Sequence, residues 1–446
     1  MTVKISDNIV QIKLSNEYSL IYNKFVYKCV IIKDEFAKYL IDNKGSGIQI
    51  NNYSKFEKLF ESKVLLKDFI EPNHIVNLEQ NIEMIKSRLP ISIRFVPSYN
   101  CNEDCSYCIV SKQRQKNHNQ FKAKWIDYAM KIIDKTESLS PVAPHNSANV
   151  TLIGGEPTLP ENWIVCKKFL QEVNKKFNVV EHTLVTNGDL LNKTILDEFC
   201  ELGGKHVYLS FDLRNISDKE GQPDNRIFFK KFLELCEFIC SFNLQLLIDL
   251  KIGENTETFN NVLLIKLKNF SKNRNIKFIC SPIVDEEEYN PLKKYKCDKM
   301  DIYFMKQKNI LNKWCEIHDI LRDKMVWPQM DEKSVFRCNV SNLSSLCFLP
   351  SGKVTTCGRL YVCDDKDIPI LADVKERKYF EKVALEHIHV FTEDEECSKC
   401  DYAYLCGGKC LFARGGKCNY EKKGIEIMID KCKNDLIEKV IHSQGD

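Results

Sequence analysis

From Ile91 to Pro282 the chain alternates between short apolar runs and segments in which apolar residues recur at helical spacing. Six runs are predicted to be strands, at residues 91–97, 149–155, 182–187, 206–212, 244–250 and 276–282. The segments between them, such as AKWIDYAMKIID and FFKKFLELCEFIC, follow the 3.6-residue period of a helix. Nearly continuous apolar strands joined through helices indicate a parallel sheet with helices outside it. We therefore predict an α/β fold, a complete or partial β/α barrel of six strands.

Further units flank the predicted barrel, which we assign to residues 91–300. Residues 1–90 begin with β-type runs (NIVQIKLS, YSLIYNKF and YKCVIIKD), continue with two helical segments and end in a connecting helix over 76–88. This order predicts a winged-helix-like domain, and a strand-rich extension packed on the next domain is the alternative. Residues 301–335 are predicted to form a bridging helix, and residues 336–446 a cysteine-rich C-terminal domain.

Composition and charge exclude several classes of partner. The chain has 65 basic and 62 acidic residues, a net charge of +3, so its charge calls for neither nucleic acid nor an anionic membrane as a partner. The N-terminus lacks the apolar segment of a signal peptide, and no run approaches the ~18 apolar residues of a membrane span. We expect a cytoplasmic protein.

Cysteine is the residue type whose distribution is most informative. A reducing compartment does not maintain a disulfide framework, so clustered cysteines there favour metal binding. Of the 21 cysteines, eight are scattered among apolar neighbours, where free Cys acts as a small buried hydrophobe, three lie between residues 101 and 108, and ten lie between 338 and 432.

The first cluster, CNEDCSYC, contains three cysteines and stops short of a fourth. A structural tetrahedral metal site closes with four protein ligands, whereas a catalytic site keeps one position open. A 4Fe-4S cluster requires four thiolates, one for each iron. A cluster held by Cys101, Cys105 and Cys108 would therefore leave one iron open to another ligand, while zinc or redox chemistry is the alternative use of these thiols.

CxxxCxxC after a first strand, with Tyr107 before the last cysteine, resembles the signature of the radical S-adenosylmethionine (SAM) enzymes. The resemblance implies that Cys101, Cys105 and Cys108 bind a 4Fe-4S cluster whose open iron is chelated by the amino and carboxylate groups of SAM. Reductive cleavage of SAM then yields a 5′-deoxyadenosyl radical that abstracts a substrate hydrogen. Tyr107 would pack beside the adenine, or would serve only loop packing.

Later loops extend the resemblance in the same order along the chain. Gly154, Gly155, Glu156 and Pro157 form GGEP after the second strand, similar to the family segment that contacts the SAM amino group. Two glycines permit close approach of the backbone, and a glutamate carboxylate can pair with an ammonium. Asn187 after the third strand, with Ser210 and Asp212 at the end of the fourth, stands where the family places polar residues near the SAM carboxylate and ribose. Each motif alone also fits an ordinary turn or cap.

The second cysteine cluster resembles the SPASM domain, which carries two auxiliary 4Fe-4S clusters. The resemblance implies one cluster on Cys338, Cys347, Cys357 and Cys410. It implies the other on Cys397, Cys400, Cys406 and Cys432. Cys363 or Cys418 stays an alternative ligand, and zinc ribbons are the rival interpretation.

Enzymes with this extension largely modify peptides, so the resemblance implies a ribosomally made precursor peptide as substrate and a thioether or carbon–carbon crosslink as product. It also implies a reductant such as flavodoxin or ferredoxin. The N-terminal unit would bind the leader of the precursor as an added strand. An anaerobic sulfatase-maturase-like enzyme that forms formylglycine is one alternative, and a noncatalytic zinc-binding scaffold is another.

Overall fold

The structure is a computed structural model of the 446-residue chain. It describes residues 2–24, 29–71, 90–105, 108, 110, 114–115, 119–139, 144–212, 225–252, 261–282, 313, 316–317, 319–325, 345–355, 400, 433 and 437. The chain divides into two compact units, one of residues 1–85 with 327–341 and 382–446, the other of residues 86–326 with 342–381.

In the first unit, the described residues form two small antiparallel sheets. The elements are β1 (Thr2–Ile5), β2 (Ile9–Lys13), β3 (Tyr18–Asn23), β4 (Cys29–Lys33), α1 (Asp34–Asp42), β5 (Gly47–Gln49), α2 (Glu57–Glu61) and β6 (Leu65–Leu66). One sheet has the order β5-β1-β6 and the other β2-β3-β4. The predicted strands β2 to β4 and both helices are confirmed, whereas β1, β5 and β6 were not predicted.

One apolar core lies under both sheets of this unit. Val3, Ile5, Ile9 and Ile21 are fully buried and pack in the same cluster as Leu40 of α1. Val3 and Ile5 alternate with polar residues along β1, which places both on the core side of the strand. The winged-helix assignment stays a prediction, and the connecting helix expected over 76–88 falls outside the described residues.

The second unit contains the predicted parallel sheet. Its strands are β7 (Ile91–Phe95), β8 (Ser147–Leu152), β9 (Val179–Val180), β10 (His182–Thr186), β11 (Gly204–Asp212), β12 (Gln245–Ile252), β13 (Ile276–Pro282), β14 (Ser345–Phe348) and β15 (Val354–Thr355). Its helices are α3 (Ile126–Leu139), α4 (Pro160–Lys176), α5 (Lys193–Glu201), α6 (Asn225–Cys240) and α7 (Asn261–Ser271).

Strands β7, β8, β10, β11, β12 and β13 lie side by side in chain order, and every neighbouring pair is parallel. A helix follows each of the first five strands, so each connection is a β-α-β crossover. This confirms the predicted α/β fold with a parallel sheet. Because the strands run in one direction, the loops that leave their carboxyl ends meet at one edge.

The two faces of the sheet differ in chemistry, as β11 shows. Val207, Leu209 and Phe211 are almost completely buried, and the Phe211 ring stacks on Phe232 of α6 with 3.8 Å between ring centroids. These residues therefore face the helices. The alternating residues Tyr208 and Ser210 point to the opposite, inner face and are half-buried. The inner face, defined here as the face of the sheet away from the helices, thus carries the polar side chains of β11.

Strand β14 extends the sheet on the other side of β7, although its residues fall in the segment predicted as the C-terminal domain. It pairs with β7 in parallel, with Cys347 opposite Arg94. The run SLCF is buried throughout, which explains its place in a sheet. In the bridging segment 301–335, the described residues 316–317 and 319–321 are helical. The domain boundaries themselves stay predictions.

Among the described residues, no helix is long and apolar enough to cross a membrane.

Glu71 binds the N-terminal segment of the first unit, so its replacement tests how that segment is held. Its carboxylate accepts hydrogen bonds from Ser6 Oγ at 2.6 Å and the Asp7 backbone N–H at 2.9 Å, and it pairs with Lys4 Nζ at 2.8 Å. Burial raises the pKa of Glu71, but the bonds from Lys4 and Ser6 outweigh burial and lower it overall. We expect Glu71→Gln to destabilise residues 2–24 by about 1–3 kcal/mol, measured by amide hydrogen exchange.

The pH dependence of the same measurement has a definite sign. A carboxyl whose pKa is lowered by folding contributes stability above its unfolded pKa, about 4.3 for Glu. That contribution should disappear as the pH falls below this value. The Glu71→Gln chain should lack this part of the acid sensitivity, and an identical acid profile in both chains would contradict the role of Glu71.

Candidate active site

The residues predicted to bind SAM and its cluster come from four loops at one edge of the second unit's sheet. The cysteine loop follows β7, GGEP follows β8, Asn187 follows β10, and Ser210 and Asp212 end β11. In an open α/β sheet, the carboxyl ends of the strands are where ligands bind. The structure thus brings four separate sequence motifs to the edge where chemistry is expected.

The two glycines of GGEP are required by the close packing of two loops. The Gly155 N–H donates to the Ser98 carbonyl at 3.0 Å, and the Glu156 N–H donates to the Asn100 carbonyl at 2.7 Å. A Cβ on Gly155 would lie 1.9 Å from the Asn100 carbonyl oxygen. Gly154 has a φ of +139°, which disfavours any side chain. The loop after β8 therefore presses directly on the segment that leads into Cys101.

Glu156 lies buried beneath this contact, with 1% of its surface exposed. Its Oε1 accepts hydrogen bonds from the Thr158 hydroxyl at 2.5 Å, the Thr158 N–H at 3.0 Å and the Thr186 hydroxyl at 2.8 Å. Its Oε2 accepts from the Asn187 N–H at 2.9 Å. A buried carboxylate needs such donors, because desolvation would otherwise disfavour its charge.

These bonds join the loop after β8 to the loop after β10. Thr158, Thr186 and Asn187 thus donate to both oxygens of the Glu156 carboxylate. The pairing with an ammonium that the sequence suggested for this carboxylate therefore stays a prediction. The observed contacts give Glu156 a positioning role.

Asn187 connects this carboxylate to the cysteine loop. Its side-chain Nδ2 lies 3.0 Å from Asn102 Oδ1 and 3.8 Å from Cys101 Sγ, and donates to both. Its Oδ1 accepts the Asp189 N–H at 3.1 Å. Asp189 in turn accepts a hydrogen bond from Asn102 Nδ2 at 3.2 Å. The loop after β10 is thus bonded directly to the segment between the first two cysteines.

None of the three cysteines of CNEDCSYC forms a disulfide, and each is partly buried. The Cys108 N–H donates to the Cys105 carbonyl at 3.1 Å. Arg114 holds the loop from another side, since it donates to the Glu103 carbonyl at 2.6 Å and pairs with Asp104. Tyr107 lies outside the described residues.

The donor set fits an iron–sulfur cluster in chemistry. Burial raises the pKa of the Cys101 thiol, and nearby Glu156, Cys108 and Cys105 raise it further, which outweighs the Glu103 N–H bond. Such thiols lose their protons when a cation binds. Across the described ranges, no three His, Cys, Asp or Glu side chains are already arranged as a metal site. The fit therefore rests on the number, type and place of the thiols.

Residues 95–264 match the family model of the radical SAM superfamily. The chain contains a radical SAM domain. The match to this superfamily indicates an enzyme, and the superfamily implies a 4Fe-4S cluster and SAM.

Comparison with solved structures shows a shared fold. The chain is similar to native anSMEcpe with bound AdoMet and Cp18Cys peptide, at 20% identity and a TM-score of 0.51, covering 79% of this chain and 99% of that one. The same protein with Kp18Cys peptide gives 22%, 0.50, and coverage of 79% and 100%. Streptococcus suis SuiB bound to precursor peptide SuiA gives 15%, 0.46, and coverage of 92% and 96%. No curated protein matches.

The inner face of the radical SAM domain carries polar residues that the sequence did not single out. Asp249 on β12 is 1% exposed, accepts a hydrogen bond from the Tyr208 hydroxyl at 2.8 Å and pairs with Lys251. Its Oδ1 has no hydrogen-bond partner among the described residues. Asp249 stands opposite Ser210 in the sheet, and Lys251 stands opposite Asp212. The sequence signal that could have identified them is the alternation of two charged residues, Asp249 and Lys251, in an otherwise apolar strand.

Of the predicted auxiliary-cluster ligands, the structure describes two. Cys347 lies on β14 and is completely buried, and Cys400 is partly buried. The others, Cys338, Cys357, Cys397, Cys406, Cys410 and Cys432, fall outside the described residues, as do Cys363 and Cys418. The auxiliary-cluster assignments remain predictions.

Gly155 provides a direct test of the packing between the two loops. We expect Gly155→Ala to destabilise the apo chain by about 2–4 kcal/mol, because the new methyl group overlaps the Asn100 carbonyl. The measurement is urea unfolding under reducing conditions, followed by tryptophan fluorescence. Gly47→Ala is the matched control, since its Cβ would meet Thr2 Cγ2 at an ordinary 3.5 Å. Equal unfolding midpoints for the two variants would contradict the packing.

The carboxylate of Glu156 can be tested by an isosteric change. In Glu156→Gln an amide NH2 replaces one oxygen and faces donors, so we expect a loss of about 1–3 kcal/mol in the free energy of unfolding. Glu181→Gln, at an exposed position, should change it by less than about 0.5 kcal/mol. Wild-type stability of the Glu156→Gln chain would show that the four hydrogen bonds do not hold these loops.

Proposed function

We propose that this enzyme cleaves SAM to a 5′-deoxyadenosyl radical and uses it to abstract a hydrogen from a ribosomally made precursor peptide, which then forms a thioether or carbon–carbon crosslink. The observation that carries the proposal is the cysteine loop itself. Its three thiols follow β7 at the carboxyl edge of the sheet, and Asn187 bonds one of them, Cys101, to the loop that contains Glu156.

In this proposal the residues of the chain hold and orient the reactants. Cys101, Cys105 and Cys108 would hold a 4Fe-4S cluster, which supplies one electron for the reductive cleavage of SAM when bound. Glu156 fixes the backbone of its own loop through buried hydrogen bonds, so the groups exposed at GGEP are held in one position. Preorganised backbone groups bind a ligand without paying for their own ordering.

A peptide is the substrate class that the comparisons support. The solved structure of anSMEcpe with bound AdoMet, whose fold this chain shares, also contains a peptide. The antiparallel sheets of the first unit add a second, independent line of support. A small sheet with edge strands such as β4 can accept an extended leader segment as a further strand.

The C-terminal cysteines complete the proposal. Two auxiliary 4Fe-4S clusters would be held by the sets given above, and they would accept an electron from the substrate radical or, with an open iron, ligate the substrate. A flavodoxin or ferredoxin would supply electrons to the first cluster. We also assign the enzyme to the cytoplasm, in an oxygen-poor setting.

A second candidate is an anaerobic sulfatase-maturase-like enzyme that oxidises Cys or Ser to formylglycine. The fold similarity to anSMEcpe over the full length of that chain favours it. Product mass separates the two activities when the target is Cys, because a crosslink loses only two hydrogens whereas formylglycine formation from Cys also removes the sulfur. When the target is Ser, both products lose two hydrogens, and labelling with an aldehyde-specific hydrazide separates them because only formylglycine carries an aldehyde. The noncatalytic zinc scaffold is disfavoured by the match to an enzyme superfamily.

Iron analysis and SAM cleavage test the proposal. After anaerobic reconstitution, the wild-type chain should bind about twelve irons, the sum of three 4Fe-4S clusters, and form 5′-deoxyadenosine with SAM and dithionite. Cys105→Ala should retain about eight irons and form no 5′-deoxyadenosine. Cys200→Ala, which removes another partly buried thiol, is the matched control and should behave as wild type. Bound zinc without SAM cleavage, or undiminished cleavage by Cys105→Ala, would refute the proposal.

A further inference from the structure

The sulfur of Cys101 has two nitrogen donors among the described residues. The Glu103 backbone N–H donates to Cys101 Sγ at 3.4 Å, and Asn187 Nδ2 donates to the same atom at 3.8 Å. The first donor belongs to the cysteine loop itself. The second comes from another strand of the sheet, and it therefore fixes Cys101 relative to the rest of the domain.

The orientation of the Asn187 amide is determined by its neighbours. Its Oδ1 accepts the Asp189 N–H, which leaves Nδ2 facing Cys101 Sγ and Asn102 Oδ1. The alternative amide orientation would place an oxygen against Asn102 Oδ1, another acceptor. The network therefore requires the donor side of the amide to point at the sulfur.

The backbone of Asn187 is held as firmly as its side chain. Its N–H donates to the buried Oε2 of Glu156 at 2.9 Å, and the hydroxyl of the preceding residue, Thr186, donates to Oε1 of the same carboxylate. Gly188, with a φ of +92°, donates its N–H to the Thr186 hydroxyl at 3.0 Å. A donor fixed in this way acts on the sulfur as a permanent dipole that does not need to reorganise.

A hydrogen bond to a cluster-ligating sulfur changes the electronic balance of the cluster. The bond stabilises negative charge on the thiolate, and the reduced cluster carries one more negative charge than the oxidised one. A donor therefore favours the reduced state and raises the reduction potential. The carboxylate of Glu156 near Cys101 acts in the opposite direction.

We infer that Asn187 is a positioning residue for the radical-SAM cluster: its side-chain amide holds Cys101 in place and raises the reduction potential of the cluster that Cys101 ligates. The resemblance of the sequence motifs implies a position near the SAM carboxylate and ribose for this asparagine. The structure directs its amide N–H groups at the cysteine sulfur and at Asn102. The inference rests on the proposed function, because it requires a cluster on the three cysteines.

The test uses Asn187→Asp in the full reconstituted chain. The aspartate keeps the size of the side chain and the acceptor for the Asp189 N–H, but it replaces the donor with an oxygen and adds a negative charge. We expect the midpoint potential of the cluster to become more negative, measured by redox titration of the electron paramagnetic resonance signal that responds to SAM. Asn187→Leu, which removes the donor without adding charge, separates the two effects, and its potential should also become more negative. Asn102→Ala is the matched control, because it removes an acceptor that lies near both Nδ2 and Cys101 Sγ and leaves the N–H donors to the sulfur in place. Its potential should stay near that of wild type.

Each outcome decides between the alternatives. An unchanged potential in Asn187→Asp with full iron content would overturn the inference, as would an equal shift in Asn102→Ala. Loss of the cluster with an unchanged melting temperature of the apo chain would support the positioning role. Loss of the cluster together with a lower melting temperature would assign Asn187 to folding alone and overturn the inference. Failure of the proposed function is seen separately, as a wild-type chain that binds no SAM-responsive cluster.

Discussion

The buried carboxylate of Glu156 is the interaction on which the arrangement of the site depends. Four hydrogen bonds reach it from Thr158, Thr186 and Asn187, and two of these residues belong to a different strand connection from Glu156 itself. A carboxylate removed from water is tolerable only when its oxygens are satisfied, so the two loops cannot separate without exposing an unpaired charge. The hydrogen bonds to this carboxylate thus hold the loop after β8 against the loop after β10, which the chain connects only through α4 and β9.

The cysteine loop is held by the loops on either side of it. GGEP contacts the residues before Cys101 through backbone hydrogen bonds that leave no room for a side chain at Gly155, while Asn187 and Arg114 bond to the segment between Cys101 and Cys105. Three thiols that lose protons on binding a cation are therefore presented on a supported loop rather than a free one. Support of this kind is what a cluster with an open iron requires, since fewer protein ligands hold it than hold a closed site.

Much of the fold could be predicted because the responsible forces are local. The apolar runs of β7, β8 and β10 to β13 and the helical spacing of α3 to α7 follow from which residues must be buried. The strand over 276–282 was predicted correctly to the residue. Short strands such as β6 and β9 have two residues each and no periodicity to detect. Strand β14 was not predicted because it has only four residues and becomes a strand by pairing with β7, which is distant in the sequence.

The sequence by itself determined the chemistry: the thiols of Cys101, Cys105 and Cys108, their spacing, and the order of GGEP and Asn187 along a β/α chain. The tertiary structure alone decided which groups meet. Glu156 pairs with the loop of Asn187 across 31 residues, and Asp249 meets Tyr208 across 41. Such contacts depend on strand register and on the curvature of the sheet, which no local pattern encodes. Residue type is a property of the sequence, whereas the identity of a partner is a property of the packed fold.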